Sequence, residues 1–106
     1  MARVFIPNAS EERHPQAWTE TPQWGTPVFI TTGAVDTHRP DRLMDDMRLA
    51  LGDFNPDEDL IMVVGAVLTT ALALACVAVN GCGRVRLLVW DGRQQTYKER
   101  PLRLVA

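Results

Sequence analysis

The stretch Leu60-Ile-Met-Val-Val-Gly-Ala-Val-Leu-Thr-Thr-Ala-Leu-Ala-Leu-Ala-Cys-Val-Ala-Val79 decides how this chain folds. It holds no charged residue and stays uncharged to Gly83, so on length alone it is able to cross a bilayer. Its composition changes at Gly65, however. Leu60 to Val64 is a short block rich in β-branched residues, whereas Ala66 to Val79 is rich in Ala and Leu, which favour a helix. A buried parallel strand followed by a covering helix produces this string, because a strand covered on both faces reads as continuously apolar. The flanks agree with that division. Asp57-Glu58-Asp59 stands immediately before the run, and Asn80-Gly81 supplies a helix stop immediately after it. Arg84 and Arg86 fit either reading, since a membrane span is also flanked by basic residues on one side. The expectation is a strand over 60–64 and a helix over 66–79, with a single membrane span over 60–79 as the competing reading.

Downstream, Val85 to Trp90 reads as a strand ending at Asp91-Gly92, a dipeptide that favours a tight hairpin turn. Gln94 to Lys98 then returns as an antiparallel edge strand, where Pro101 is tolerated near the end. Upstream, Pro40 to Leu51 is an amphipathic helix with Pro40 in its first turn and Gly52 past its end. Pro27 to Thr31 is a strand closed by Thr32-Gly33. Arg3 to Ile6 is a strand stopped by Pro7-Asn8, and residues 8–26 form a long polar connection carrying Trp18 and Trp24. The order of elements gives an α/β fold in one domain over residues 1–106. It is a small sandwich with a mainly parallel four- to five-stranded sheet, two main helices and a C-terminal hairpin.

The 106 residues are 46% hydrophobic and carry a net charge of -2, which argues against duplex nucleic acid as a partner. From Arg84 onward, though, six basic residues face two acidic ones, so the C-terminal segment is locally basic. Two cysteines without Cys-x-x-Cys spacing read as reduced thiols, with Cys76 in the core and Cys82 in a loop. No secretory signal is visible. Ser10 lacks a nucleophile-elbow context, and His14 and His38 show no zinc-ligand spacing with the cysteines. Asp57-Glu58-Asp59 lacks the alternation of a calcium loop. The sequence therefore names no catalytic residue, metal site or cofactor, and the expectation is a protein that is not an enzyme.

The run Asp59-Leu60-Ile-Met-Val-Val-Gly65, the Ala/Leu-rich helix after it, and Gly83-x-Val85-x-Leu87-Leu88-x-Trp90-Asp91 with Tyr97 and Arg100 resemble small uncharacterised α/β proteins encoded by bacteriophages. The resemblance covers the C-terminal half. It implies a compact accessory protein made in the cytoplasm of an infected cell, and it carries over no functional residue.

In open parallel sheets, ligands bind beyond the carboxyl ends of the strands, where loops diverge and helix N-termini present free N–H groups. Those positions here are Asn8, Thr31, Thr32, Gly33, Gly65 and Asp91. Gly65 stands between strand and helix, where a glycine lets the backbone approach an anion. There is no Gly-x-Gly-x-x-Gly and no Gly-Lys-Ser/Thr, so the usual dinucleotide and P-loop sites are excluded. The site expected is for a small anionic or nucleotide-like ligand. Trp18, Trp24, Arg93 and Arg100 are the candidates for contact with a host or phage protein, most simply an acidic one. Self-association is also expected. The function read from these residues is a non-enzymatic accessory binding protein; the alternatives are an assembly protein using an edge strand and the aromatic connection, or a small single-span membrane protein.

Overall fold

In the computed structural model, which describes residues 2–105, the uncharged run breaks into a strand at Leu60–Met62 and a helix at Val67–Val79. Gly65 takes φ +79° between them, a left-handed conformation that a side chain resists. The helix spans about 20 Å at its ordinary rise, short of the ~30 Å hydrocarbon core. No helix among the described residues is long and apolar enough to cross a membrane, which overturns the single-span reading.

The elements in chain order are β1 (Arg3–Ala9), α1 (Gln16–Thr19), a short 3-10 helix (Thr21–Gln23), β2 (Thr26–Thr32), α2 (Pro40–Leu51), β3 (Leu60–Met62), α3 (Val67–Val79), β4 (Arg84–Asp91) and β5 (Thr96–Arg103). The five strands form one sheet in the order β2-β1-β3-β4-β5. All neighbours run parallel except β4 and β5, which form the C-terminal hairpin. The α/β class and mainly parallel sheet agree with the sequence pattern.

Local boundaries differ in several places: β3 ends at Met62 instead of Val64, and β5 runs over Thr96–Arg103 instead of Gln94 to Lys98, with Pro101 paired to Arg86 inside it. β1 does not stop at Pro7-Asn8 but runs to Ala9. Proline is tolerated there because β1 pairs with β3 only at Val4↔Leu60 and Phe5↔Ile61, so at Pro7 no ladder on that side needs its missing N–H. Pairing with β2 continues to Ala9↔Thr32 on the other side. Asp91-Gly92 does not make a two-residue turn either. The last pair is Asp91↔Thr96, and Gln95, at φ 54°, takes the left-handed position instead of Gly92. The Asp91 carboxylate caps this loop by accepting from the N–H groups of Gln94 (3.2 Å) and Arg93 (2.9 Å), which hold it below the usual carboxylate range. Finally, the connection over 8–26 is not featureless, since it contains α1 and the 3-10 helix.

Successive strand residues point to opposite faces, and both faces are buried. Phe5, Ile61 and Val85 pack against Met47 and Leu51 of α2 and Ala73, Cys76 and Val77 of α3. Val4, Ile6, Leu60, Met62, Leu88 and Tyr97 face the other way, where Ala17 of α1 completes the core and Trp18, Trp24 and Trp90 pack against it. That second face has only the connection as its cover. Trp18 stacks on Phe29 with ring centroids 4.4 Å apart, and Thr21, fully buried, donates to the carbonyl of Ala17. Glu20 reaches across to the hairpin, accepting from the Thr96 hydroxyl and from Tyr97 N–H at 3.2 Å.

At the amino end of β3, Asp59 is 1% exposed and is surrounded by donors. It accepts from Arg3 N–H (3.1 Å), from the Arg3 guanidinium (2.8 Å at Nη2) and from Asn55 N–H (2.9 Å). Burial alone pushes its carboxyl up, but these donors together outweigh burial and hold it below the ordinary value.

Candidate functional site

From β1 the chain crosses one face of the sheet through α1 to reach β2, and from β3 it crosses the opposite face through α3 to reach β4. The loops after β1 and β3 therefore leave in opposite directions, which opens a crevice at the carboxyl ends of these two neighbouring strands. A depression of about 660 Å³ lies there, lined by Asn8, Arg13, His14, Gly33, Gly65 and Ala66 among others.

Four of the residues expected at this site meet, but chiefly through one another. The Asn8 side chain, 4% exposed, donates from Nδ2 to Thr31 Oγ1 (3.2 Å) and to the Gly33 carbonyl (2.9 Å). Its Oδ1 accepts from Ala66 N–H at 3.0 Å, the residue that opens α3. Thr31 in turn donates to the Pro7 carbonyl at 2.6 Å. Both amide hydrogens of Asn8 are thus in use, and it is the buried floor of the crevice. Gly65 lies directly over it. A Cβ at position 65 would stand 2.2 Å from the Asn8 carbonyl oxygen and 2.5 Å from Oδ1, so glycine is required there by packing as well as by φ.

The wall residues come from the loop after β1, which the sequence pattern presents only as a polar connection. Ser10 N–H donates to His14 Nδ1 at 3.0 Å, Arg13 N–H donates to Ser10 Oγ at 3.4 Å, and His14 N–H donates to the Ser10 carbonyl at 2.6 Å. This knot brings Arg13 and His14 to the crevice that Gly65 and Ala66 also line. The only sequence signal for them is their place just past a β1 that runs longer than expected.

The remaining candidates sit elsewhere. Thr32 is exposed at the end of β2. Asp91 lines a separate depression of about 390 Å³ together with Trp90, Arg93 and Arg100. Trp18 and Trp24 are half-buried against the core, and the buried Trp24 Nε1 has no hydrogen-bond partner among the described residues. Arg93 and Arg100 are exposed and form no ion pair among the described residues, whereas Arg84 pairs with Asp57, and Arg86 with Glu99 at 3.5 Å.

The sequence model of one protein family, described as Phage Pam3 gp32-like protein, matches residues 2–104. The match takes in the N-terminal half as well as the C-terminal half. No curated protein matches the chain, and no solved structure does.

Proposed function

The chain belongs to the Phage Pam3 gp32-like protein family, and on that premise we propose that it is a non-enzymatic accessory protein, made inside an infected cell, that holds a small anionic, nucleotide-like ligand. The observation that carries this reading is the depression of about 660 Å³ where the winding of the sheet reverses, with Arg13 on its wall. The guanidinium of Arg13, beside Glu12 on the same wall, is the donor for the anion, while Asn8, which takes the Ala66 N–H, and Gly65 shape the floor. Ser10 and His14 are engaged with main-chain groups of their own loop, in an arrangement suited to shape rather than to nucleophilic attack.

The test is the melting temperature of the full chain with inorganic phosphate and with purine and pyrimidine mono- and triphosphates. At saturating ligand a rise of several degrees is expected, and Arg13→Ala abolishes it while leaving the ligand-free melting temperature unchanged. A panel that produces no shift, or a shift that survives Arg13→Ala, overturns the reading. Gly65→Asp is unsuitable here because any side chain at 65 strikes Asn8.

A second reading rests on Arg93 and Arg100, exposed and outside any ion pair among the described residues, which line one depression with Trp90 and the Asp91 carboxylate. Such a surface suits an acidic segment of a host or phage protein. A partner retained from infected-cell lysate by the wild type at low salt and lost with Arg93→Glu/Arg100→Glu supports this; equal retention by both removes it.

A further inference from the structure

The two edges of the sheet differ in a way the ligand reading does not use. β5 carries Lys98, Glu99, Arg100 and Arg103 with Pro101, the charges and proline that discourage another strand from pairing. β2, the opposite edge, reads Thr26-Pro-Val-Phe-Ile-Thr-Thr32 and holds no charge over its seven residues. Thr26 N–H donates inward to the Ala2 carbonyl, so with strand alternation the N–H groups of Val28, Ile30 and Thr32 also face β1. Those of Phe29 and Thr31 face outward, as do the carbonyls of Pro27, Phe29 and Thr31.

We propose that a second copy of this chain pairs antiparallel with β2 about a two-fold axis at Phe29, joining two five-stranded sheets into one. The sequence is self-complementary in that register. Phe29 N–H meets the Phe29 carbonyl of the second copy in both directions, and Thr31 N–H meets the carbonyl of Pro27. The one edge position without a donor is Pro27, which falls at the margin of the pairing. Val28 lies opposite Ile30, and the two Phe29 rings, each stacked on its own Trp18, come side by side. Val28, Phe29 and Ile30 are all half-buried in the single chain, so pairing completes their cover. Thr26 lies opposite Thr32, and the strands themselves bring no like charges together; the charges beside this edge, Asp36, Arg39, Arg42 and Asp46, are of both signs and line a depression with Thr31. An isologous contact of this kind closes at two copies.

The test uses the full chain and two readouts. Sedimentation from low micromolar to submillimolar protein gives a mass of twice 11.8 kDa at the upper end. Amide exchange in that species shows Phe29 and Thr31 protected alongside Val28 and Ile30. Thr26 and Thr32 are exposed at the two margins, and two charge designs at the same positions separate an effect on pairing from one on the fold. Thr26→Lys/Thr32→Lys places like charges opposite each other at both margins and raises the dissociation constant about tenfold; Thr26→Glu/Thr32→Lys places opposite charges there and restores pairing. A monomer across the whole range overturns the proposal. So does a dimer in which Phe29 and Thr31 exchange freely, or one indifferent to both charge designs. Arg13 takes no part in this contact, so these outcomes are independent of the ligand reading.

Discussion

Two residues, Gly65 and Asp59, carry more of this structure than their size suggests. Gly65 is the tightest: Gly65→Ala adds a Cβ 2.2 Å from the Asn8 carbonyl at φ +79°, so a loss of about 2–4 kcal/mol is expected from urea unfolding. Gly33→Ala is the control, because φ is also positive there but a Cβ meets nothing within 4 Å, and its cost stays near ~1 kcal/mol. Asp59 sets the acid response. Its folded pKa lies below the unfolded value, so its contribution is complete above the ordinary carboxylate pKa and is lost as pH falls through the folded one. Stability measured from neutral pH down into the acid range should therefore drop. Asp59→Asn should cost about 2–3 kcal/mol at neutral pH and flatten that part of the profile, since it breaks the charge pairing with Arg3. The sequence shows Asp59 only as one member of an acidic turn; most of the donors that hold it come from Arg3, 56 positions away.

Among the elements, the segment from α1 to the 3-10 helix is the one most dependent on tertiary contacts. α1 is four residues long and has no side-chain cap, so it has no stability of its own. What holds it are Ala17 in the core, Trp18 on Phe29, and Glu20 on the hairpin. Glu20→Ala should cost about 1–2 kcal/mol by removing two hydrogen bonds to a carboxylate. It should also speed amide exchange across residues 16–24 without altering that of α3. Equal exchange throughout would mean that the aromatic packing alone anchors the segment. α3 is the opposite case: its Ala- and Leu-rich run and its Gly65 and Asn80 boundaries are legible directly, because local propensity and burial favour the same helix there.

For the whole molecule, the decisive alternative concerned the uncharged run, and the fold places it as a central strand and a helix lying on the sheet. Untagged protein centrifuged without detergent is expected to stay in the supernatant; recovery only after detergent extraction would contradict the fold from Leu60 onward. The α/β class, the two main helices, the parallel core strands and the C-terminal hairpin were legible in the residues alone, because these follow from periodicity, propensity and glycine or proline punctuation over a few neighbouring residues. Phage-family membership was likewise legible in the residues from Asp59 onward. That Asn8 is a saturated floor, that Arg13 and His14 are walls, that Asp91 belongs to a different depression, and that β2 is the bare edge emerge only once the chain is folded. Each of those depends on which strands become neighbours and where each ladder ends. Contacts such as Asn8 to Ala66, 58 positions apart, leave no periodic trace in the chain.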